Sequence, residues 1–277
     1  MRTLPDQLDA LHKTWRGYME DMGNDPRRET ASCAHPPLNV RDPTQAAEPP
    51  SPRVPEGDQY AVRHNPFVYF HSIIDSPSCV KNVVSLRHLR RALAATGTTP
   101  NLVFVIPNLC NDGHDAPCQN GAPGGLASAD AFLRTWVPRI LASPAFRHDG
   151  LVVITFDEGD AVDGARSDGR AMTYAGDKCC NQQPGPNLEP FPQTEHDGER
   201  TVTFRDFGGE RVGAVLLSPF LKAGASSRTP FNHYSLLKTL EDIFATPEHL
   251  GYAGQLGLIG FFDPGSDIPV VARRPNH

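Results

Sequence analysis

Leu151-Val-Val-Ile-Thr-Phe-Asp-Glu158 is the stretch of sequence that decides the fold of this chain. Its first six residues are apolar, β-branched or aromatic and follow a Gly, a pattern that predicts a buried strand over 151–156. Strands with apolar residues on both faces are typical of parallel sheets covered by helices. Ligands of such sheets bind at the carboxyl ends of strands, where Asp157 and Glu158 lie. Adjacent carboxylates favour a cation or a shared proton, although solvation at a turn also explains such a pair.

Outward from this strand, the chain alternates between strand and helix patterns. Strands are predicted over 14–19, 101–106 and 212–217, and helices over 3–11, 85–95, 128–141 and 234–244, with Ser128 as a candidate helix cap. Long loop insertions are predicted at 24–66, which is rich in proline, and at 159–210, which is polar and rich in glycine. This order predicts a single α/β domain over 1–277, a three-layer α/β/α sandwich with a mostly parallel sheet.

Composition excludes several classes of function. The chain has 277 residues and a formal net charge of −6, so no basic stripe is available to follow the phosphates of a nucleic acid. Its longest basic cluster, Arg87-His-Leu-Arg-Arg91, is interpreted as the solvated face of a helix. No apolar stretch approaches the roughly 20 residues that a transmembrane helix needs.

Six cysteines indicate an oxidising compartment, because they are even in number and lie in loops without a Cys-x-x-Cys pair. Candidate bridges join Cys33 with Cys79 and Cys110 with Cys118, whereas the adjacent Cys179 and Cys180 could pair with each other only under strain. The N-terminal residues lack the apolar core of a signal peptide.

Candidate catalytic groups follow the strand predicted at 101–106. Asp112, His114 and Asp115 suit a metal or phosphate site, whereas a turn explains only the Asn-Asp-Gly part of this loop. His233 lies at the start of the last predicted helix, although a lone histidine is usually structural. Carboxylate oxygens would hold Mg²⁺, Ca²⁺ or Mn²⁺, and a set that includes histidine would also accept Zn²⁺.

Such groups are expected at one rim of the sheet, because the loops that carry them follow strands of the same sheet. The predicted pocket is formed by Asp157, Glu158, His114 and His233. Glu20, Asp21 and His64 are further candidates, although ordinary polarity at the ends of strands also explains them.

Several ordered motifs resemble one known family. They are Lys13-Thr-Trp-Arg-Gly-Tyr-Met-Glu-Asp21, His64-Asn-Pro-Phe-Val-Tyr-Phe70, Ile106-Pro-Asn-Leu-Cys-Asn-Asp-Gly-His-Asp115, Val153-Ile-Thr-Phe-Asp-Glu158 and Asn232-His-Tyr-Ser-Leu-Leu-Lys-Thr-Leu-Glu-Asp242. These strings are similar to the bacterial phosphoesterase family, which comprises acid phosphatases and phosphocholine-type phospholipases C within the alkaline-phosphatase-like superfamily. The resemblance runs from about residue 3 to about residue 253. It implies an α/β/α fold, a divalent metal ion (Ca, Mg, Mn or Zn) and hydrolysis of phosphate esters outside the cytoplasm, by secretion or in the periplasm.

The resemblance also implies roles for individual residues. Asp157 and Glu158 would be metal ligands, and His114, Asp115 and His233 would be catalytic. Substrate contacts would come from Asn108, Asp112 and His64. The substrate would be a small phosphate ester or a phospholipid, with monoester hydrolysis favoured over phospholipase C-type cleavage of a diester. Substrate choice would depend on the 159–210 insertion, through Tyr174, Lys178, Phe191 and Phe204, unless these side chains only cover the edge of the sheet.

One part of the family pattern is missing. Members begin with a strand that carries a Glu-Asn metal motif, followed by a Ser or Thr nucleophile, and this chain has no Glu-Asn dipeptide. We therefore expect the C-terminal portion of the family domain, without its first strand or strands and without the nucleophile. Three hypotheses follow: a phosphoesterase working through a phospho-enzyme, an inactive remnant that binds metal or phosphate, and a hydrolase that uses metal-bound hydroxide.

Overall fold

This computed structural model describes residues 2–159, 162–174, 176, 179–180, 182–184, 189–206 and 208–271. The chain divides into two compact units, unit 1 over residues 1–150 and unit 2 over residues 151–277. Each unit is described by itself, so the single domain expected from the sequence stays a prediction.

Short elements of both kinds alternate along the chain. The α-helices are α1 (Leu4–Ala10), α2 (His71–Ile74), α3 (Pro77–Asn82), α4 (Leu89–Ala92), α5 (Gly125–Leu141), α6 (Pro144–Asp149) and α7 (His233–Phe244). The strands are β1 (Trp15–Met19), β2 (Val83–Ser85), β3 (Leu102–Ile106), β4 (Val152–Thr155), β5 (Val162–Ala165), β6 (Ala171–Tyr174), β7 (Gln193–Asp197), β8 (Arg200–Phe204) and β9 (Ala214–Leu217). Short 3₁₀ helices occupy Val62–His64, Pro66–Tyr69, Leu86–His88, Thr96–Thr98 and Gly251–Gly254.

Unit 1 contains a parallel three-stranded sheet with the order β2-β1-β3. Trp15 pairs with Leu102 and Gly17 with Val83, so β1 is the central strand. The parallel sheet with its helices confirms the predicted α/β class. It also brings the carboxyl ends of β1 and β3 to one edge, where polar loops follow both strands.

The two faces of β1 pack against different layers, because side chains alternate along a strand. On one face, Trp15 stacks on Phe67 with ring centroids 5.2 Å apart, and Phe67 meets Phe104 edge to face at 5.7 Å. On the other face, the fully buried Tyr18 packs with Leu86 and Leu89 and with apolar side chains of α5. The sheet of unit 1 is therefore covered on both sides.

The start of α1 agrees with the sequence, whereas the start of α5 does not. Thr3 caps α1 by accepting a hydrogen bond from the Asp6 backbone, and Pro5 lies in the first turn. The prediction that Ser128 caps α5 is wrong, because the helix begins at Gly125 and is preceded by Gly124. The Ser128 hydroxyl instead accepts a hydrogen bond from the Gly124 N–H (2.9 Å) within the first helical turn.

Residues 24–66 form a loop as predicted, but the loop is not merely a surface excursion. It buries polar groups of its own, and the Arg28 side chain forms several of the polar contacts among them. The Arg28 guanidinium donates to the carbonyl oxygens of Asp58 (2.9 Å) and Ala46 (2.7 Å) and lies 3.1 Å from an Asp58 carboxylate oxygen. Side chain–backbone bonds therefore replace regular structure here, and proline-rich composition alone does not show this.

In unit 2, the strand expected from the deciding stretch is confirmed as β4, but its pairing is antiparallel. Val152 lies opposite Leu217 and Thr155 opposite Ala214 of β9, which is the other strand predicted at 212–217. β4 is half-buried up to Ile154 and exposed at Thr155. A β-branched run therefore located the strand, but it did not determine the direction of its partner.

The 159–210 segment contains a four-stranded sheet, so its interpretation as a loop insertion is wrong. Its strand order is β5-β6-β8-β7, with β6 and β8 parallel and the outer pairs antiparallel. Tyr174 and Phe204 lie opposite each other and stack at 5.4 Å. Threonine and other polar residues occupy many strand positions, so the hydrophobic alternation that marks a strand is weak here.

Three disulfide bonds join Cys33 with Cys79, Cys110 with Cys118, and Cys179 with Cys180. The first two are the candidate bridges, although Cys79 lies in α3 rather than in a loop. Across the described ranges, no helix combines the length and the apolar character that crossing a bilayer requires.

Candidate active site

In unit 1, the carboxylates that follow β1 hold the loop that follows β3. Glu20 Oε2 accepts hydrogen bonds from the Asn108 backbone N–H (2.9 Å) and from Asn111 Nδ2 (3.0 Å). Asp21 Oδ2 accepts from Asn108 Nδ2 (2.7 Å) and from the Gln59 N–H (3.3 Å). Amide donors from two other segments therefore converge on two neighbouring carboxyl groups at the carboxyl edge of the parallel sheet.

Burial changes the acidity of both carboxyl groups. It raises the pKa of Glu20 to about 7, against the opposing effect of the hydrogen bonds from Asn111 and Asn108. Burial also raises the pKa of Asp21, although Asn108 and the Gln59 backbone donate to it. Asp21 has a φ of 59°, a left-handed conformation that is uncommon outside glycine and that clusters at functional sites. This strand end therefore combines half-buried, titratable groups with backbone strain.

The 108–115 loop is ordered by its own polar groups as well. The side-chain oxygen of the buried Asn108 accepts hydrogen bonds from the Cys110 and Asn111 N–H groups, both at 3.0 Å. Asp112 Oδ1 accepts from the His114 N–H at 2.8 Å. The Cys110–Cys118 disulfide closes the loop beyond this point. These hydrogen bonds and the disulfide therefore fix the backbone of the loop that carries His114.

His114 and Asp115 form a histidine–carboxylate pair at the end of this loop. His114 Nδ1 lies 2.9 Å from Asp115 Oδ1, and the His114 side chain is 86% exposed. A carboxylate at Nδ1 fixes the tautomer and the ring orientation, so proton exchange with a substrate would use Nε2. Asn108, Asp112, His114 and Asp115 are thus brought together as expected, whereas His64 is half-buried at the end of its own 3₁₀ helix.

In unit 2, a histidine contacts the backbone of the carboxylate pair that follows β4. Asp157 and Glu158 are exposed, as expected for the end of that strand. His233 Nε2 lies 2.7 Å from the backbone oxygen of Asp157. Because a carbonyl oxygen only accepts, the Nε2–H group of His233 donates in this contact. Asn232 caps α7 by accepting from the Ser235 N–H at 3.0 Å, which fixes His233 as the first helical residue.

In unit 1 the His114 ring contacts the Asp115 carboxylate, and in unit 2 the His233 ring contacts the backbone oxygen of Asp157. The convergence of all these groups in one pocket stays a prediction. Among the residues with described placement, no group of three or more histidine, cysteine, aspartate or glutamate side chains is arranged to hold a metal ion.

The sequence interpretation undervalued Glu20 and Asp21 and missed Asn111 and Gln59. Glu20-Asp21 directly follows a strand, as Asp157-Glu158 does, so the same signal was available for both pairs. Of the side chains suggested for substrate choice, Lys178 lies outside the described residues. Tyr174 and Phe204 contact each other at the sheet of unit 2.

Comparison with known proteins agrees with these motifs. A profile of the Phosphoesterase family matches residues 1–247, most of the chain. The chain belongs to the phosphoesterase family. This phosphoesterase family domain carries its carboxylates and histidines at the ends of strands β1, β3 and β4 and at the start of α7, and all of these lie within the matched residues.

Similar proteins come from fungi. The phosphate-repressible acid phosphatase of Penicillium chrysogenum is 27% identical over 168 residues, which cover 57% of this chain and 31% of that protein. The acid phosphatase of Aspergillus fumigatus is 28% identical over 101 residues, 36% of this chain and 21% of its own length. The probable acid phosphatase of Kluyveromyces lactis is 26% identical over 101 residues, which cover 36% of this chain and 22% of that protein. The match spans about a third or less of the length of these curated relatives.

Proposed function

We propose that this phosphoesterase family chain takes part in the hydrolysis of phosphate monoesters, with a divalent metal ion held by Asp157 and Glu158. The observation that carries the proposal is the 2.7 Å contact between His233 Nε2 and the Asp157 carbonyl oxygen. It puts the imidazole of the first residue of α7 against the backbone of Asp157, whose side chain and that of Glu158 are exposed. Family membership and the names of the similar acid phosphatases support the same reaction class.

The donor set of Asp157 and Glu158 fits a hard divalent cation. Both carboxylates are exposed, and within the described ranges neither forms a hydrogen bond or an ion pair through its carboxylate oxygens. Carboxylate oxygens suit Mg²⁺, Ca²⁺ or Mn²⁺, and the nearby imidazole extends the choice to Zn²⁺. When bound, such an ion supplies Lewis-acid stabilisation of the charge that develops on a phosphoryl oxygen.

His233 is suited to act on the phosphate group. Its contact with the Asp157 carbonyl fixes the ring and leaves Nδ1 as the nitrogen that can accept a proton or a hydrogen bond. It also begins α7, a helix of 12 residues whose positive end favours an anionic phosphate. We assign to His233 the orientation of the phosphate group and proton exchange with it.

His114 is the second histidine assigned to proton transfer. The Asp115 carboxylate contacts Nδ1 of His114, as a carboxylate orients the base in many hydrolases. Nε2 is therefore the nitrogen that we assign to proton exchange. The hydrogen bonds from Asn108 and Asn111 to Glu20 fix the loop that carries it. In this assignment, His114 is the general acid or base that exchanges a proton with the ester oxygen.

Three disulfide bonds favour folding in an oxidising compartment, so we include secretion or export to the periplasm in the proposal.

The test measures the turnover of p-nitrophenyl phosphate and bis(p-nitrophenyl) phosphate by the full chain, with Mg²⁺, Ca²⁺, Mn²⁺ or Zn²⁺ added in turn. Removing a general acid or base typically costs about 10²–10⁴-fold in rate, so we expect His233→Asn and His114→Asn each to lower kcat by about 10²-fold or more. Asp157→Asn should remove the response to metal.

Matched controls lie in the same chain. His196 is an exposed histidine of β7 that contacts only Thr201 Oγ1 (3.3 Å) in the described hydrogen bonds, and Glu195 is its exposed neighbour. His196→Asn and Glu195→Gln should leave kcat within about twofold. Faster turnover of the diester would redirect the proposal to phosphodiester cleavage. Metal binding without turnover of either substrate would contradict it.

A further inference from the structure

A cavity of about 350 Å³ in unit 1 is lined by four basic side chains among its seven lining residues, and the 108–115 loop does not contribute to it. Its basic members are Arg16, Lys81, His88 and Arg91, and the remaining wall is formed by Val84, Ala92 and Thr98. We call this cavity the basic pocket. It is unusual in a chain whose formal net charge is −6.

Four elements bring these basic side chains together. Arg16 is the second residue of β1, on the same face of the strand as Tyr18. His88 ends the 3₁₀ helix Leu86–His88, and Arg91 follows three residues later in α4, so both side chains lie on one side of this helical segment. Lys81 lies in the last turn of α3. The basic pocket is therefore built from regular elements rather than from a single charged run.

The charges of the basic pocket are not balanced by carboxylates. Among the described residues, none of its four basic side chains forms an ion pair with an aspartate or glutamate. Asp9 is near in the chain, but its carboxylate binds Trp15 Nε1 (3.0 Å) and the Ser78 hydroxyl (3.4 Å). Trp15 points to the opposite face of β1 from Arg16, because side chains alternate along the strand.

One buried polar atom at this place, Nε of Arg16, forms no hydrogen bond among the described residues, and the fully buried Tyr18 side chain lies beside the Arg16 guanidinium. Burial raises the pKa of Tyr18, while the nearby Arg16 guanidinium opposes that rise. An unsatisfied buried donor and a partly buried cation without a counter-ion both lower the stability of the folded chain. An anion bound to the Arg16 guanidinium would offset this cost.

We propose that the basic pocket binds a small soluble anion that carries several negative charges, of the pyrophosphate class. Its volume lies at the lower end of pockets that hold small ligands, which favours a compact polyanion over an extended chain or a flat membrane surface. Arginine and lysine side chains are the usual partners of phosphate oxygens. Glu20 directly follows β1 and is four residues beyond Arg16, about 13 Å along the extended chain, so this site is separate from the carboxyl edge of the sheet.

The proposal does not depend on hydrolysis, and its test avoids the metal-dependent chemistry. Isothermal titration calorimetry of the full chain with pyrophosphate is carried out in buffer freed of metal ions by a chelating resin. Lys81→Gln/Arg91→Gln removes two exposed charges of the basic pocket. Arg90→Gln is the matched control, because Arg90 is exposed in α4 but does not line the cavity.

We expect one pyrophosphate per chain, and binding that is about tenfold or more weaker in Lys81→Gln/Arg91→Gln but within about twofold of wild type in Arg90→Gln. Asp157→Asn should bind pyrophosphate as the wild type does, which separates this site from the proposed metal ligands. Equal losses in the double variant and in Arg90→Gln would overturn the proposal, because they would indicate a general attraction to the basic helix. Absence of measurable binding to the wild-type chain would overturn it as well.

Discussion

Replacing Glu20 by Gln should make unit 1 more stable at pH 8 and leave it nearly unchanged at pH 4.5. Burial raises the pKa of Glu20 from 4.5 to about 7. When the pKa of a carboxyl group is raised in the folded state, its contribution to the free energy of unfolding is fully present at a pH below its pKa in the unfolded chain. This contribution is lost as the pH rises through its pKa in the folded state. The loss corresponds to about 3 kcal/mol, because each pKa unit is worth about 1.4 kcal/mol.

Gln cannot ionise, but its carbonyl oxygen can still accept from the Asn108 N–H and from Asn111 Nδ2. The free energy of unfolding of Glu20→Gln should therefore exceed that of the wild type by an amount that grows from near zero at pH 4.5 to about 3 kcal/mol at pH 8. Titrating groups that do not interact with Glu20 cancel in this difference because both proteins carry them, whereas repulsion from the adjacent Asp21 contributes to it.

Urea denaturation followed by tryptophan fluorescence measures this difference. Both tryptophans of the chain, Trp15 and Trp136, belong to unit 1, so the signal reports the unit that contains Glu20. Asp130→Asn, which removes an exposed surface ion pair with Arg134 in α5 of the same unit, is the control and should change the free energy of unfolding by less than about 1 kcal/mol at both pH values. A Glu20→Gln difference that stays constant from pH 4.5 to pH 8 would refute the argument that burial controls this carboxyl group.

Two further perturbations test the packing of unit 1 and the order of its active-site loop. Gly17→Ala should destabilise unit 1 by about 2 kcal/mol or more in the same urea assay, because a Cβ there would lie 2.4 Å from Cε2 of Phe67. An unchanged midpoint of urea denaturation would contradict the close packing on β1. Cys110→Ser/Cys118→Ser should lower kcat on p-nitrophenyl phosphate severalfold, because the loop before His114 loses its covalent closure. Unchanged kcat in this double variant would show that hydrogen bonds alone hold the loop.

Sequence patterns predicted the elements that local chemistry determines. The β-branched runs located β3, β4 and β9, and a threonine followed by a proline located the start of α1. The positions of the cysteines suggested two of the disulfides that the structure contains. In each case the signal lies within a few residues, so no knowledge of distant contacts is needed.

The features that sequence patterns did not predict depend on distant contacts. The antiparallel pairing of β4 with β9 joins segments about 60 residues apart, and an apolar run carries no information about the direction of its partner. The sheet within 159–210 has polar strands whose register depends on one another. The buried interior of the 24–66 loop depends on Arg28, which reaches backbone oxygens 18 and 30 residues away.

The two carboxylate pairs show why environment rather than motif decides chemistry. Glu20-Asp21 and Asp157-Glu158 are nearly the same dipeptide in reverse order, and each directly follows a strand. The first pair is half-buried and satisfied by amide donors, so it binds a loop and Glu20 titrates near neutral pH. The second pair is exposed and forms no hydrogen bond through its carboxylate oxygens within the described ranges, so its charge is available to a cation. Exchanging Glu20 and Asp21 for amides should therefore alter stability and its dependence on pH, whereas the same change at Asp157 and Glu158 should alter the response to metal with little effect on folding.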